Sequence, residues 1–145
     1  ATPGMGAARG VGIGLTWLST LLHRDASHVQ IVPGARMVAD ANGLAEQLAD
    51  AALVITGEGR FDSQTAAGKV AATIFDLVEE HNPDAVVAVA AGNFEDSPRD
   101  VAGSEVIAVT LPDPAEEGEA GIAGQLRRAG AEIAVAYLRT STVQG

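Results

Sequence analysis

The sequence predicts an α/β fold in which a parallel sheet is covered by helices on both faces, giving three layers. Three short apolar runs, residues 51–56, 85–91 and 105–110, have the length and composition of buried strands. Segments with apolar residues at helical spacing precede, separate and follow these runs. Hydrophobic residues make up 47% of the 145 residues and aromatic residues only 3%, so we expect a core of small aliphatic side chains.

Each helix is predicted from its apolar spacing and from the Gly, Asn and Pro residues that end it. The order is helix, two short helices, strand, helix, strand, strand and helix, which we expect to form one unit over residues 1–145. The first strand is expected to be buried on both faces, because its apolar run is continuous. The predicted helices are residues 7–24, 34–50 with a break near residue 42, 70–80 and 121–138. Two apolar helix faces are predicted, Val11, Leu15, Leu18 and Leu22 in the first helix and Ile122, Leu126, Ala129, Ile133 and Tyr137 in the last.

Composition narrows the classes of function. The net charge of −10, from 19 acidic and 9 basic residues, argues against binding to nucleic acid or to anionic membranes, which need a basic surface. The absence of cysteine excludes disulfides and thiolate chemistry. The apolar stretch 11–22 is too short to span a bilayer and lacks the organisation of a signal peptide. We therefore predict a soluble, cytoplasmic protein.

The densest cluster of polar groups follows the first strand, in residues 57–69. Parallel sheets bind ligands outside the carboxyl ends of their strands, which is where this loop is expected. Glu58 and Asp62 have the oxygen ligands that Mg²⁺ prefers, whereas Arg60 and Lys69 have the charge to neutralise phosphate oxygens. The alternative interpretation is a solvated loop in which one polar side chain only caps the next helix.

The same rule points to residues 92–97 and to the loop after Thr110. In the first of these stretches and just beyond it, Asp96, Arg99 and Asp100 are polar enough for a site. A solvated loop accounts for them equally simply, and we favour that interpretation.

Two glycine-rich phosphate-binding motifs fit poorly. A P-loop ending at Gly68-Lys69 would need glycine where Ser63 stands and a hydroxyl residue where Val70 stands. Residues 4–10 resemble a dinucleotide fingerprint, but Arg9 occupies the third glycine position. This opening segment is either a phosphate-cradling loop at a helix N-terminus or a close packing contact between a helix and the sheet.

The central motif is similar to the signature of type I (bacterial) glycerate kinases, DLVITGEGRxDxQTxxGK. Residues 53–60 match it, followed by Asp62, Gln64, Thr65 and Gly68-Lys69. Ala52 and Phe61 depart from the family's usual residues without removing a chemical group from the loop. The opening glycines and residues 86–92 are also similar, so the likeness extends over essentially the whole chain.

The resemblance implies an enzyme that phosphorylates D-glycerate from ATP with Mg²⁺, commonly giving 2-phosphoglycerate. Members of the family have two α/β domains with the site in the cleft between them. This chain resembles only the C-terminal portion of such an enzyme, so its implied partner is the N-terminal part of the same protein. Without that part we expect the chain to be inactive, and a homodimer would be another way to cover exposed sheet edges.

The resemblance also implies roles for individual residues. Glu58 and Asp62 would hold Mg²⁺ or orient the attacking hydroxyl, and Arg60 and Lys69 would bind the glycerate carboxylate or phosphate. The remaining positions expected to bind substrate or phosphate are Gly57, Gly59, Gln64, Thr65, Gly4 and Gly6. Two other hypotheses stay open: a module that binds a phosphate or sugar acid without turnover, and a structural fragment that self-associates.

Overall fold

The computed structural model describes residues 10–62, 70–116 and 121–143, with side chains described as far as residue 140. The chain forms two compact units, Ala1–Val38 and Ala39–Gly145. Helix α2 (Gly34–Ala41) contains residues of both units. The expectation of one unit over the whole chain therefore stays a prediction.

In the first unit, helix α1 (Val11–His23) agrees with the described part of the predicted helix. Gly10 precedes it with a φ of 91°, a left-handed conformation that glycine adopts without strain. The four apolar residues predicted to form one face, Val11, Leu15, Leu18 and Leu22, are exposed, whereas Ser19 is buried. The Ser19 hydroxyl donates a 2.8 Å hydrogen bond to the carbonyl oxygen of Asp25, just beyond the end of the helix.

The second unit carries the sheet. Its elements are α3 (Leu44–Leu48), β1 (Leu53–Glu58), α4 (Val70–His81), β2 (Val86–Ala91), α5 (Pro98–Ala102), β3 (Val106–Thr110) and α6 (Gly121–Val143). All three strands are parallel in the order β1-β2-β3, so β2 is central. The fold class predicted from the sequence is confirmed, including the break between α2 and α3.

Alternating residues of β2 face two separate apolar clusters. Val87 and Val89 pack with Phe75 and Leu77 of α4 on one side of the sheet. On the other side, Ala88 and Ala90 of β2 pack in a cluster with residues of α6. Small residues in β2 let both helical layers approach the sheet closely, which is why a chain with few aromatic residues can form this core.

The predicted burial of the first strand on both faces is wrong. Ile55 of β1 is 57% exposed, because β1 is an edge strand of the described sheet and α6 packs mainly over β2 and β3. On the predicted apolar face of α6, Ala129 and Ile133 are buried, whereas Ile122 and Leu126 are exposed. The periodicity identified both elements correctly but not how far the described core extends over them.

The short helix α5 corrects the prediction of a solvated loop around Arg99 and Asp100. Pro98 stands in its first turn, where a missing N–H is harmless, and Gly103 ends it with a φ of 67°. The longest described helix, α6, has 23 residues. Across the described ranges, no helix is both long and apolar enough to cross a membrane.

Candidate functional site

The loops that follow β1 and β2 lie side by side at the carboxyl edge of the sheet. The N–H of Phe61 donates to the carbonyl oxygen of Asn93 at 2.9 Å, and the N–H of Glu95 donates to the carbonyl oxygen of Phe61 at 2.8 Å. Phe61 and Phe94 therefore form a parallel bridge beyond the ends of their strands. The pairing of β1 with β2 resumes at this point and fixes one loop against the other.

The side chain of Phe61 anchors this arrangement in the core. It is fully buried, and its ring centroid lies 5.8 Å from that of Phe94 and 6.4 Å from that of Phe75 in α4. These distances and the tilted ring planes are typical of favourable aromatic pairs. Because Phe61 is fixed in the core, the backbone positions of its neighbours Arg60 and Asp62 are also fixed.

The backbones of the two loops also approach each other closely at Gly59 and Gly92, directly after the strands end. A Cβ atom built on Gly92, directly after β2, would lie 2.8 Å from the carbonyl oxygen of Gly59. Real Cβ atoms do not approach a backbone oxygen so closely. The close approach therefore requires glycine at position 92 and not at position 59, where an added Cβ would meet nothing within 4 Å. The predicted role of Gly59 in admitting a ligand stays a prediction.

Glu58, the last residue of β1, contacts the first turn of α4. Its Oε1 accepts a long hydrogen bond, 3.4 Å, from the N–H of Ala71. The first N–H groups of a helix have no partner within the helix and carry positive partial charge. The carboxylate of Glu58 therefore lies where negative charge is favoured, and it brings the start of α4 to the strand end.

Arg60 lies between two carboxylates. Its Nη2 is 2.5 Å from Oε1 of Glu95, and its Nε is 3.7 Å from Oδ2 of Asp62. The hydrogen bond from Arg60 to Glu95, followed by the charge of Glu95, raises the pKa of the Arg60 guanidinium above its ordinary value. Arginine is a cation at any ordinary pH, and its contacts with Glu95 and Asp62 hold this cation at the carboxyl edge of the sheet.

Glu95 is the residue of this edge that sequence reasoning did not single out. The topological rule points to residues 92–97, where Asp96 and not Glu95 is the predicted candidate. Separation from Arg60 by 35 positions hides the pairing in a linear sequence. The parallel order of β1 and β2 was the one signal that could have indicated it, since it places the loops after both strands at one edge.

The remaining predicted site residues divide into two groups. The sequence predicts all five described residues in a loop after a strand ending at residue 56, but β1 continues through Gly57 and Glu58. Gly59, Arg60 and Asp62 follow the strand. The predicted residues outside the described part of the chain are Gly4, Gly6, Gln64, Thr65 and Lys69. Among described residues, no group of three or more His, Asp or Glu side chains is arranged to hold a metal ion. The assignment of Mg²⁺ to Glu58 and Asp62 therefore remains a prediction.

The fold and this edge together define an α/β protein with a charged strand-end site. A family model described as the glycerate kinase family matches residues 1–137, and the chain belongs to that family. No solved structure matches it significantly.

Three relatives illustrate the similarity. The chain is 43% identical over 74 residues to an uncharacterized protein of Mycobacterium bovis, covering 51% of this chain and 17% of that protein. It is 45% identical over 67 residues to a glycerate kinase of Halalkalibacterium halodurans, covering 46% and 16%. It is 35% identical over 96 residues to a glycerate 2-kinase of Escherichia coli, covering 65% and 22%. The alignments thus span only about a fifth of each relative.

Proposed function

We propose that this chain supplies part of the active site of a cytoplasmic kinase that transfers phosphate from ATP to D-glycerate, giving 2-phosphoglycerate. The observation that carries the proposal is the placement of Glu58, Arg60 and Asp62 at the carboxyl edge of a parallel sheet. Phosphoryl transfer depends on positioning and on electrostatic stabilisation, and these side chains offer both signs of charge at one place. Membership of the glycerate kinase family supports the same reaction.

In this proposal Arg60 and Lys69 bind the carboxylate of glycerate or the transferred phosphate. Glu58 and Asp62 hold Mg²⁺ or orient the attacking hydroxyl. Their oxygen donors suit Mg²⁺, which is commonly bound through one or two carboxylates together with water and substrate phosphate. When bound, Mg²⁺ would offset charge on the phosphate oxygens.

Six further residues have supporting roles in the proposal. Gly57 and Gly59 admit the ligand close to the backbone. Gln64 and Thr65 supply positioning donors. The opening loop with Gly4 and Gly6 contacts phosphate.

The partner required by this proposal is the remainder of a longer polypeptide. Alignment with only 16–22% of the length of the glycerate kinases named above supports it. A cleft between two domains needs both walls, so the chain by itself is proposed to be inactive. Self-association through β1, an edge strand of the described sheet, is the alternative way to pair the backbone groups of that edge.

The test is formation of ADP from ATP, with and without D-glycerate, by the full-length polypeptide that contains this chain. Glu58→Ala and Lys69→Ala are each expected to lower kcat by about a hundredfold or more, because each removes a charge that acts on the reacting groups. Glu105→Ala is the matched control, since Glu105 is an exposed carboxylate directly before β3, at the opposite end of the sheet. ³¹P NMR of the product distinguishes the 2- and 3-phosphates.

Absence of glycerate-dependent ADP from the full-length protein would sink the kinase proposal. If the full-length enzyme is active but Glu58→Ala and Lys69→Ala leave the rate unchanged, the site assignment is wrong instead. An active isolated chain would contradict the proposed need for a second wall of the cleft.

A second candidate is binding of a phosphate or sugar acid without turnover. The fixed cation at Arg60 favours it, because anion binding needs little more than such a cation and nearby N–H groups. Calorimetric titration with D-glycerate and with inorganic phosphate separates the two functions. Binding without ADP formation would support the second.

A further inference from the structure

Glu95 is fixed against the proposed site by its backbone. Its N–H donates to the carbonyl oxygen of Phe61 at 2.8 Å, and the preceding residue, Phe94, is bridged to Phe61. Phe61 is fully buried, so this attachment is part of the core and not a contact between two loose loops. The side chain of Glu95 therefore begins from a set position one residue away from a core contact.

From that position the carboxylate of Glu95 reaches the guanidinium of Arg60. Nη2 of Arg60 donates to Oε1 of Glu95 at 2.5 Å, a hydrogen bond between two charged groups, which is a stronger kind than one between neutral groups. Asp62 approaches Nε of the same group at 3.7 Å. A guanidinium is planar and has five N–H donors in a fixed fork, so contacts at Nη2 and Nε define its plane without using all of its donors.

Arg60 needs such support because its side chain is 60% exposed. A long exposed side chain samples several rotamers, and binding a ligand then requires the loss of that conformational freedom. A carboxylate that already restrains the guanidinium reduces this loss. Glu95 itself is an anion and would repel the carboxylate of glycerate, so it has no favourable direct contact to offer that ligand.

We propose that Glu95 is a positioning residue, which holds the Arg60 guanidinium in the orientation that binds the carboxylate of D-glycerate. The inference rests on the proposed function, in which Arg60 contacts this substrate. It extends that function by assigning a role to the loop after β2, which lies beside the loop that carries the family motif. Glu95 acts through Arg60 and does not touch the reacting atoms.

The chain contains a matched control for this pair. Arg99 of α5 and Glu105 form another ion pair, with side chains 61% and 75% exposed. Glu105 directly precedes β3, whereas Glu95 follows β2, so the two carboxylates lie at opposite ends of the parallel sheet. Removing Glu105 tests the general effect of losing an exposed carboxylate and its ion pair.

The experiment measures the dissociation constant of D-glycerate by calorimetry in the full-length polypeptide. Glu95→Ala is expected to raise this constant about three- to fivefold, the range that an exposed ion pair can supply. Glu95→Gln retains an oxygen that accepts from Nη2 and is expected to stay within about twofold of the wild type. Glu105→Ala should leave the constant unchanged. In an Arg60→Ala background, adding Glu95→Ala should have no further effect.

Equal glycerate affinity of the wild type and Glu95→Ala would overturn the proposal, even if the melting temperature fell. That result would mean that Glu95 only connects two loops. An additive effect in the Arg60→Ala background, or no glycerate binding by the wild type, would overturn it too. Failure of the kinase function is a separate outcome, namely glycerate binding with no ADP formed. If the wild type forms ADP normally and Glu95→Ala leaves the glycerate affinity unchanged, the proposed role of Glu95 is wrong and the kinase function stands.

Discussion

Gly92 lies against the carbonyl oxygen of Gly59, so closely that a Cβ atom on Gly92 would come within 2.8 Å of that oxygen. The two glycines follow adjacent parallel strands, β1 and β2. Their approach sets the spacing between the loop that carries Arg60 and the loop that carries Glu95. Space at Gly92 is therefore a condition for the ion pair between these two loops.

Gly92→Ala is expected to destabilise the protein by about 1–3 kcal/mol, because a methyl group there must displace backbone that the bridge at Phe61 holds in place. Urea denaturation measures the change in free energy of unfolding. Gly130→Ala in α6 is the control, since nothing lies within 4 Å of its added Cβ. That helical substitution should stabilise by up to about 1 kcal/mol. Equal effects of the two substitutions would contradict the close approach.

Phe61→Ala is expected to lower the free energy of unfolding by about 3–5 kcal/mol, since it removes a fully buried ring from between Phe75 and Phe94. Phe61→Leu keeps most of the apolar volume and should lower it by less than about 1.5 kcal/mol. Urea denaturation compares the two variants. If both substitutions lowered the free energy of unfolding by the same amount, the ring would not be the anchor of the loop.

Arg60→Lys keeps the positive charge but loses the planar fork that contacts Glu95 and Asp62. We expect the KM for D-glycerate to rise about tenfold or more, because one ammonium group cannot reproduce both contacts and the bond to the substrate. Steady-state kinetics of the full-length polypeptide provide the measurement. Arg99→Lys, in the ion pair with Glu105, is the control and should leave KM unchanged. A KM unaffected by Arg60→Lys would show that charge alone suffices.

The Asn82 side chain joins the end of α4 to the segment before β1. Its Nδ2 donates to the carbonyl oxygens of Leu48 at 2.9 Å and of Ala51 at 3.0 Å. Asn82→Ala leaves both partly buried acceptors without this donor and should destabilise by about 1–3 kcal/mol, measured by urea denaturation. Asn82→Asp should destabilise at least as much, because it places a carboxylate beside two carbonyl oxygens. A fully tolerated Asn82→Asp would contradict this account.

A pH-dependent contribution is expected just beyond α1. The Ser27 hydroxyl and the Ser27 N–H both donate to the carboxylate of Asp25 and lower the pKa of Asp25 below its ordinary value, the hydroxyl having the larger effect. A lowered pKa in the folded state contributes stability above the ordinary value, and this contribution is lost as the pH falls through the folded pKa. Ser27→Ala removes the larger cause, so the pKa of Asp25 should rise.

An NMR titration of the Asp25 carboxyl carbon measures that change. Ser27→Thr retains the hydroxyl and is the control, with an expected pKa close to that of the wild type. An unchanged pKa in Ser27→Ala would mean that the backbone N–H alone accounts for the lowering.

Local patterns accounted for most of the fold because they report on neighbouring residues. The apolar spacing and the Asn-Gly and Asn-Pro breaks placed α2, α3 and α4 close to their observed bounds. The same patterns did not distinguish the central strand from the edge strand. Val89 of β2 is fully buried and Ile55 of β1 is exposed, although both belong to continuous apolar runs. Position within the sheet decides burial, and a single run contains no information about its neighbours.

The candidate site, too, has one part that the sequence indicates and another that only the fold brings together. The sequence by itself determined that Arg60 and Asp62 follow a strand and that glycines flank Glu58, because motif and strand are continuous in the chain. Only the tertiary structure decided that Glu95 pairs with Arg60, since parallel pairing of β1 with β2 brings together loops distant along the sequence. It also decided that Gly92 must stay small. Both features depend on distances between chain segments, which are set by packing and not by the order of residues.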